Sequence, residues 1–166
     1  MGKMQQERNC ADDPVQGGDV PHPSIDEIVG LRKLTVKNTL ESISELEKFV
    51  TAFATEYGLS DALAMKLNLA MEETLSNIIF YAYPPGEKGL VTIEIEYCHH
   101  EVAFTITDEG VPFNPLTEAE EVDITRSTGE RPVGGLGIFL LKQIMDDINY
   151  VRTDGKNRLR AKKKIE

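Results

Sequence analysis

The sequence predicts an α+β fold, a two-layer sandwich in which helices cover one face of a mixed, mainly antiparallel sheet. Three observations carry this prediction. Segments with an apolar repeat of two residues, which is typical of strands, alternate along the chain with segments whose repeat is typical of amphipathic helices. Asp154-Gly155 lies between two strand patterns and is a strong hairpin signal, which favours antiparallel pairing. A length of 166 residues suits one domain with a single core.

The first segment of the chain has almost no apolar periodicity and is rich in Asp, Gln, Gly and Pro, so residues 1–30 are expected to be a flexible head. Residues 31–166 are then the folded domain. Its first strand is predicted over residues 31–38, and a helix is expected to begin at a cap at Thr39. A second helix begins at the N-cap Ser60 and is expected to run to Tyr83, because two prolines follow it.

The second half of the domain shows a hairpin, a stretch without a period, a helix and a second hairpin. The first hairpin is predicted over residues 90–97 and 102–108, and the stretch without a period over 114–133. The helix is predicted over 135–147, and the second hairpin over 148–152 and 157–161. A long stretch without structure inside a compact domain is unusual and often functional, so residues 114–133 are expected to form a lid. The basic cluster near the end of the chain is interpreted as a charged edge strand. Its members are Lys156, Arg158, Arg160, Lys162, Lys163 and Lys164.

Composition excludes several classes of protein. The formal net charge of −10 argues against a nucleic-acid surface, which needs clustered Lys and Arg. No apolar run is long enough to span a membrane, and the N-terminus lacks the apolar core of a signal peptide. Cys10 and Cys98 are too few for a disulfide framework and wrongly spaced for a metal site. A cytoplasmic protein without a direct nucleic-acid or membrane partner is expected.

Three stretches combine polar groups and glycines at places where a site can form. Glu73 and Asn77 lie four residues apart in the second predicted helix, so a carboxylate and an amide share one face. Asp108 ends a predicted strand, and Gly110 follows it in Asp-Glu-Gly-Val-Pro-Phe. The run Gly134-Gly135-Leu136-Gly137 leads into a helix, where backbone amides can cradle phosphates. Each stretch alone has an ordinary explanation, as solvated polar residues, a turn after a strand, or a loop-to-helix junction.

Together and in this order, the stretches resemble the nucleotide-binding boxes of the GHKL ATPase superfamily, which includes gyrase, heat-shock chaperones, histidine kinases and mismatch-repair ATPases. The wording EETLSNIIFYAYP, DEGVPFNP and GGLGIFLLKQIMD looks most like the anti-sigma-factor serine/threonine kinase branch. The resemblance covers roughly residues 31–164 and implies the GHKL, or Bergerat, ATP-binding fold. Pro112 stands where the wider superfamily has a second glycine.

The resemblance also implies a role for each box. Glu73 corresponds to the general base, and Asn77 to the residue that holds Mg²⁺ through its side-chain oxygen. Asp108 corresponds to the aspartate that accepts a hydrogen bond from the adenine amino group, with Gly110 close to the base. Amides of the Gly134–Gly137 run would hold the phosphates of ATP. Asn157 stands near the position where relatives have a threonine in the adenine pocket.

An arginine near the lid is expected to meet the γ-phosphate, because a planar guanidinium suits phosphate oxygens. Arg131 is the nearer candidate and Arg126 the farther one. Neither matches a family position firmly, so a solvated charge on the lid is an equal alternative for both.

The resemblance implies a protein serine/threonine kinase that uses Mg-ATP and acts as an anti-sigma factor. Such a kinase binds a sigma factor in one state and phosphorylates a STAS-type antagonist in another. The alternative is a non-catalytic module in which nucleotide gates a protein interface. Relatives are commonly dimers, and no feature of this sequence decides whether the chain forms a homodimer.

Overall fold

A computed structural model gives the structure of residues 28–98, 100–118 and 135–165. The elements follow one another as β1 (Ile28–Lys37), α1 (Glu41–Glu56), α2 (Asp61–Asn77), a π-helix (Ile78–Ala82), β2 (Leu90–Cys98), β3 (Glu101–Asp108), α3 (Pro115–Glu118), α4 (Gly135–Ile144), β4 (Asp147–Thr153) and β5 (Lys156–Lys164). The order of the strands and of the longer helices is the predicted one, whereas the short α3 lies at the start of the predicted lid, where no helix was expected. None of these helices is long and apolar enough to cross a membrane.

The strands form one five-stranded sheet in the order β1-β2-β3-β5-β4. Every pair of neighbours is antiparallel, so the sheet is antiparallel throughout rather than mixed. Asp154, with a φ of 50°, and Gly155, with a φ of 74°, form the predicted hairpin turn between β4 and β5. The α+β two-layer prediction is confirmed.

One face of the sheet packs on the helices and forms the core. Side chains alternate between the two faces of a strand, and one set from each strand joins the helical side chains in a single apolar cluster. Its fully buried members include Phe53, Leu67, Met71, Ile93 and Phe104. Helix α2 lies in the middle of the helical layer, because it contacts α1, α4 and β3.

The interpretation of the basic cluster as an edge strand is wrong. Strand β5 lies between β3 and β4, and the edges of the sheet are β1 and β4. The cations of β5 are tolerated inside the sheet because several of them pair with acids on neighbouring segments. Arg160 lies 2.5 Å from Glu96, and Lys162 lies 3.6 Å from Glu101. These pairs cover the face of the sheet that has no helices on it.

Two boundaries also differ from the predictions, and a third agrees with them. Strand β1 begins at Ile28, three residues before the predicted domain boundary. The N-cap of α1 is Leu40, without a side-chain hydrogen bond, whereas Thr39 accepts a backbone hydrogen bond from Ser42 through its carbonyl. Ser60 caps α2 as predicted, since its hydroxyl oxygen accepts a hydrogen bond from the Leu63 amide at 3.2 Å.

Candidate active site

Glu73 and Asn77, the first of the three nucleotide-binding boxes, lie one turn apart near the end of α2. The buried side of this helix anchors it in the core through Leu67, Ala70, Met71, Thr74 and Leu75. Glu73 and Asn77 are half-buried beside this stripe. Directly after Asn77, the helix changes from α to π geometry over Ile78–Ala82. Single π turns inside helices are frequent at functional sites.

The start of α4 lies directly against this pair. A methyl group on Gly137 would come within 2.9 Å of Glu73 Oε2 and 3.3 Å of Asn77 Nδ2. Gly137 is therefore the point where the glycine run approaches the carboxylate and the amide, and a side chain there would crowd both. Helix α4 begins at Gly135, with Leu136 also in its first turn. Gly134, Arg126 and Arg131 lie outside the described residues, as does most of the predicted lid.

The π-helix that continues α2 touches the second box, Asp108–Phe113. The Val111 amide donates a hydrogen bond to the Ala82 carbonyl at 2.7 Å, directly beside Gly110. A methyl group on Gly110 would lie 2.4 Å from that carbonyl oxygen, so only glycine fits there. The α2 helix and its π extension therefore contact both of the other boxes.

Asp108 is a buried carboxylate at the end of β3, with 5% of its surface exposed. Its Oδ1 accepts hydrogen bonds from the Gly110 amide at 2.8 Å and from Asn157 Nδ2 at 2.9 Å. Among the described residues, both hydrogen bonds to this carboxylate go to Oδ1 and none goes to Oδ2. Burial raises the pKa of Asp108, and the bonds from Asn157 and Gly110 and the charge of Arg152 oppose that rise. A buried carboxylate with one open oxygen is an acceptor for a single hydrogen-bond donor of a ligand.

Asn157 and Asp108 come together because they face each other in the register of β3 and β5. Strand β4 adds two residues that the sequence analysis missed, Tyr150 and Arg152, both of which donate to Asn157 Oδ1. The Asp154-Gly155 turn contains the signal that could have found Arg152. A two-residue hairpin fixes the register, and this register pairs Arg152 with Asn157.

Glu73 is electrostatically suited to exchange a proton. Burial raises its pKa, and the neighbouring charge of Glu72 raises it further. A general base works best when its pKa approaches the working pH. The carboxylate can therefore accept a proton from a hydroxyl group that comes within hydrogen-bond distance.

The residues present fit Mg²⁺ held together with a nucleotide. The described residues include no group of three or more acidic, His or Cys side chains that could hold a metal ion alone. Magnesium in nucleotide sites takes one or two protein oxygens and completes its shell with phosphates and water. Asn77, whose side-chain amide lies beside the start of α4, offers one such oxygen.

Comparison with known proteins identifies the class. The family model for the histidine kinase-like ATPase domain matches residues 36–163. The chain therefore belongs to the family of histidine kinase-like ATPase domains. Its relatives place it in the branch of serine kinases and anti-sigma factors that the three boxes indicated, which confirms the resemblance found in the sequence.

Three of these relatives illustrate the branch. The serine/threonine-protein kinase BtrW of Bordetella bronchiseptica is 32% identical over 100 residues, which are 60% of this chain and 70% of that protein. The serine-protein kinase RsbW of Listeria monocytogenes is 26% identical over 109 residues, covering 64% and 69%. The anti-sigma F factor of Clostridium perfringens is 28% identical over 117 residues, covering 70% and 83%.

A solved structure supports the fold. The RsbU and RsbW domains of a Mycobacterium tuberculosis protein match 81% of this chain with a TM-score of 0.59 and 11% identity. This chain spans 32% of the length of that structure. At that identity, the likeness concerns the fold alone.

Proposed function

We propose that this chain is a protein serine/threonine kinase that transfers the γ-phosphoryl group of ATP to a hydroxyl of a partner protein. The observation that carries the proposal is the contact of Gly137 with Glu73 and Asn77. It brings a candidate base, a candidate magnesium ligand and a glycine-led helix start to one point. The kinase names of the relatives support the same reaction.

In this reaction, Glu73 would take the proton of the attacking hydroxyl. The hydroxyl oxygen forms a bond to the γ-phosphorus, the bond between that phosphorus and the β–γ bridging oxygen breaks, and ADP leaves. Asp108 would hold the adenine, and the amides at the start of α4 would bind phosphate oxygens. Mg²⁺, held by Asn77, would supply positive charge to the β- and γ-phosphates.

The partners belong to the proposal as well. The names of the relatives support an anti-sigma regulator that binds a sigma factor. We extend the proposal to phosphorylation of a STAS-domain antagonist and to a location in the cytoplasm. Exchange between these partners would follow the state of the nucleotide. The lid arginine, Arg131 or Arg126, would contact the γ-phosphate.

Phosphoryl transfer from radiolabelled Mg-ATP to purified single-domain STAS proteins tests the reaction. At pH 8, Glu73→Gln should lower the transfer rate by roughly 10²–10⁴-fold, the usual contribution of a general base. The same variant should still bind ATP, because it keeps the shape of the side chain.

Glu72→Gln is the matched control, since it removes a carboxylate one position along the same helix. At pH 8 it should transfer at the wild-type rate. The kinase proposal would be contradicted if the wild-type protein binds ATP but leaves it intact in the presence of each of the STAS proteins tested. That result would favour a non-catalytic switch gated by nucleotide. Transfer by Glu73→Gln at the wild-type rate would remove Glu73 from the mechanism.

A further inference from the structure

The hydrogen-bonding capacity of the Asn157 side chain is fully used inside the protein. Its Nδ2 donates to Asp108 Oδ1 at 2.9 Å and to the Val111 carbonyl at 2.9 Å. Its Oδ1 accepts from the Tyr150 hydroxyl at 2.6 Å and from Arg152 Nη1 at 2.9 Å. A carboxamide has two donor hydrogens and two lone pairs on its oxygen. The amide therefore has no group left for a ligand.

The two donors from β4 determine which way the amide points. A flipped amide would place its NH₂ group against the Tyr150 hydroxyl and the Arg152 guanidinium. Arg152 has only donors, so the flipped amide could make no hydrogen bond with it. Burial of Asn157, of which 6% is exposed, makes such an unsatisfied arrangement costly. Tyr150 and Arg152 thus keep Nδ2 directed at Asp108.

The orientation of the amide is passed on to the Asp108 carboxylate. Oδ1 receives both the Asn157 Nδ2 and the Gly110 amide, whereas no described residue donates to Oδ2. Two bonds on one oxygen fix the plane of the carboxylate. Oδ2 is then the oxygen that is left to accept a hydrogen bond from a ligand. An acceptor at this position favours a purine with a 6-amino group over one with a 6-oxo group, because two acceptors facing each other make no hydrogen bond.

Arg152 also fixes the loop that follows Asp108. Its Nη1 donates to the Gly110 carbonyl at 3.0 Å as well as to Asn157. The Gly110 amide is bound to Asp108 at the same time. One guanidinium therefore holds the loop and the amide together, so a change at Arg152 affects both supports of the carboxylate.

We propose that Tyr150 and Arg152 are positioning residues for base selection, which fix the Asn157 amide so that Asp108 presents a single open oxygen to a 6-amino purine. Asn157 acts through Asp108 and does not touch the base. The inference rests on the proposed function, since it takes the base of ATP to lie at Asp108.

Calorimetric affinities for Mg-ATP and Mg-ITP test the inference, because the base of ITP carries a 6-oxo group in place of the 6-amino group of adenine. Wild-type protein should prefer ATP. Tyr150→Phe and Arg152→Leu should each lower the ratio of the ATP affinity to the ITP affinity by roughly tenfold, the value of one hydrogen bond. Arg152→Lys keeps a donor and a positive charge and should recover part of the ratio.

Tyr97→Phe is the matched control. It also removes a tyrosine hydroxyl, but from β2 at the end of the sheet away from Asp108. The ring centroids of Tyr97 and Tyr57 lie 5.8 Å apart there. This variant should leave the ratio of the two affinities unchanged. Thermal unfolding of each variant checks that it is folded. Tyr150→Phe and Arg152→Lys keep the volume and charge of the wild-type side chains, so they preserve the test if Arg152→Leu unfolds.

The possible results separate this inference from the proposed function. ATP-selective wild-type protein whose ratio is unchanged in Tyr150→Phe and in the Arg152 variants would overturn the inference and leave the kinase intact. Wild-type protein that binds ATP and ITP equally would also overturn it. Wild-type protein that binds neither nucleotide would overturn the proposed function, and the inference with it.

Discussion

The buried carboxylate of Asp108 lowers the stability of the fold while it provides an acceptor for a ligand. Burial is the main cause that raises its pKa, so the folded protein binds a proton there more tightly than the unfolded chain does. When the folded state holds more protons, the free energy of unfolding falls as pH rises through the interval between the ordinary and the raised pKa. Above that interval the ionised carboxylate destabilises the fold, and protonation at lower pH removes the effect.

Asp108→Asn should therefore separate stability from binding. The Asn oxygen can accept the two bonds that Oδ1 accepts now, and the neutral group avoids the burial of a charge. We expect a melting temperature at pH 7 equal to or above that of the wild type. The affinity for Mg-ATP should fall by roughly tenfold or more, because an NH₂ group replaces the open acceptor. A variant that melts well below the wild type, or that binds ATP normally, would contradict this role.

Glu73 leads to a prediction about pH. Because its pKa is raised, the transfer rate should begin to fall at a pH above the ordinary pKa of a glutamate. At pH values below the raised pKa the base is protonated and the rate decreases. Part of the rise comes from Glu72. Glu72→Gln should therefore move the acid limb to lower pH while the plateau rate stays the same. A profile of kcat/KM against pH, which reports the pKa of the free enzyme, measures the shift for both proteins. An unchanged limb would show that the limb belongs to another group.

Gly110 and Gly137 differ in the atoms that surround them: backbone atoms lie against Gly110, and a flexible side chain lies against Gly137. Alanine at Gly110 would press a methyl group against the backbone of Ala82, which cannot move without shifting the π-helix. Alanine at Gly137 meets mainly the end of the Glu73 side chain, at 2.9 Å, and that side chain can turn away. Inside a helix, replacing Gly by Ala is otherwise favourable by about 1 kcal/mol.

We expect opposite effects from the two substitutions. Gly110→Ala should lower the free energy of unfolding by about 1–3 kcal/mol, the usual effect of forcing extra volume into a packed site. Gly137→Ala should unfold at or above the wild-type temperature and yet lose phosphoryl transfer, because the carboxylate is displaced. Denaturant unfolding together with a transfer assay distinguishes them. Full kinase activity in Gly137→Ala would show that the contact between α4 and Glu73 is not part of the site.

The π-helix marks a limit of sequence-based prediction at this scale. The sequence predicted one helix from Ser60 to Tyr83, and its beginning at Ser60 is confirmed. The change at Ile78 depends on tertiary contact, since Ala82 must present its carbonyl to Val111. No local pattern encodes that requirement.

For the molecule as a whole, period and turn chemistry were sufficient to predict the order of the elements and the α+β class. Strand order was not predicted, and β5 was wrongly placed at an edge because its lysines and arginines suggest an exposed strand. Their pairing with acids from β2 and β3 is visible only in the folded sheet. The support of Asn157 by Tyr150 and Arg152 was missed for the same reason, since it depends on strand register.

The central claim is that the three boxes form one Mg-ATP site, and calorimetric titration of Mg-ATP tests it most directly. Wild-type protein, Asn77→Ala and the control Asn68→Ala should be compared. Asn68 lies on the same helix, and its Oδ1 has no hydrogen-bond partner among the described residues. We expect binding by the wild type and the control, and a loss of affinity in Asn77→Ala that persists at saturating Mg²⁺. A wild type that binds no ATP, or an Asn77→Ala variant that binds as tightly as the wild type, would contradict the account.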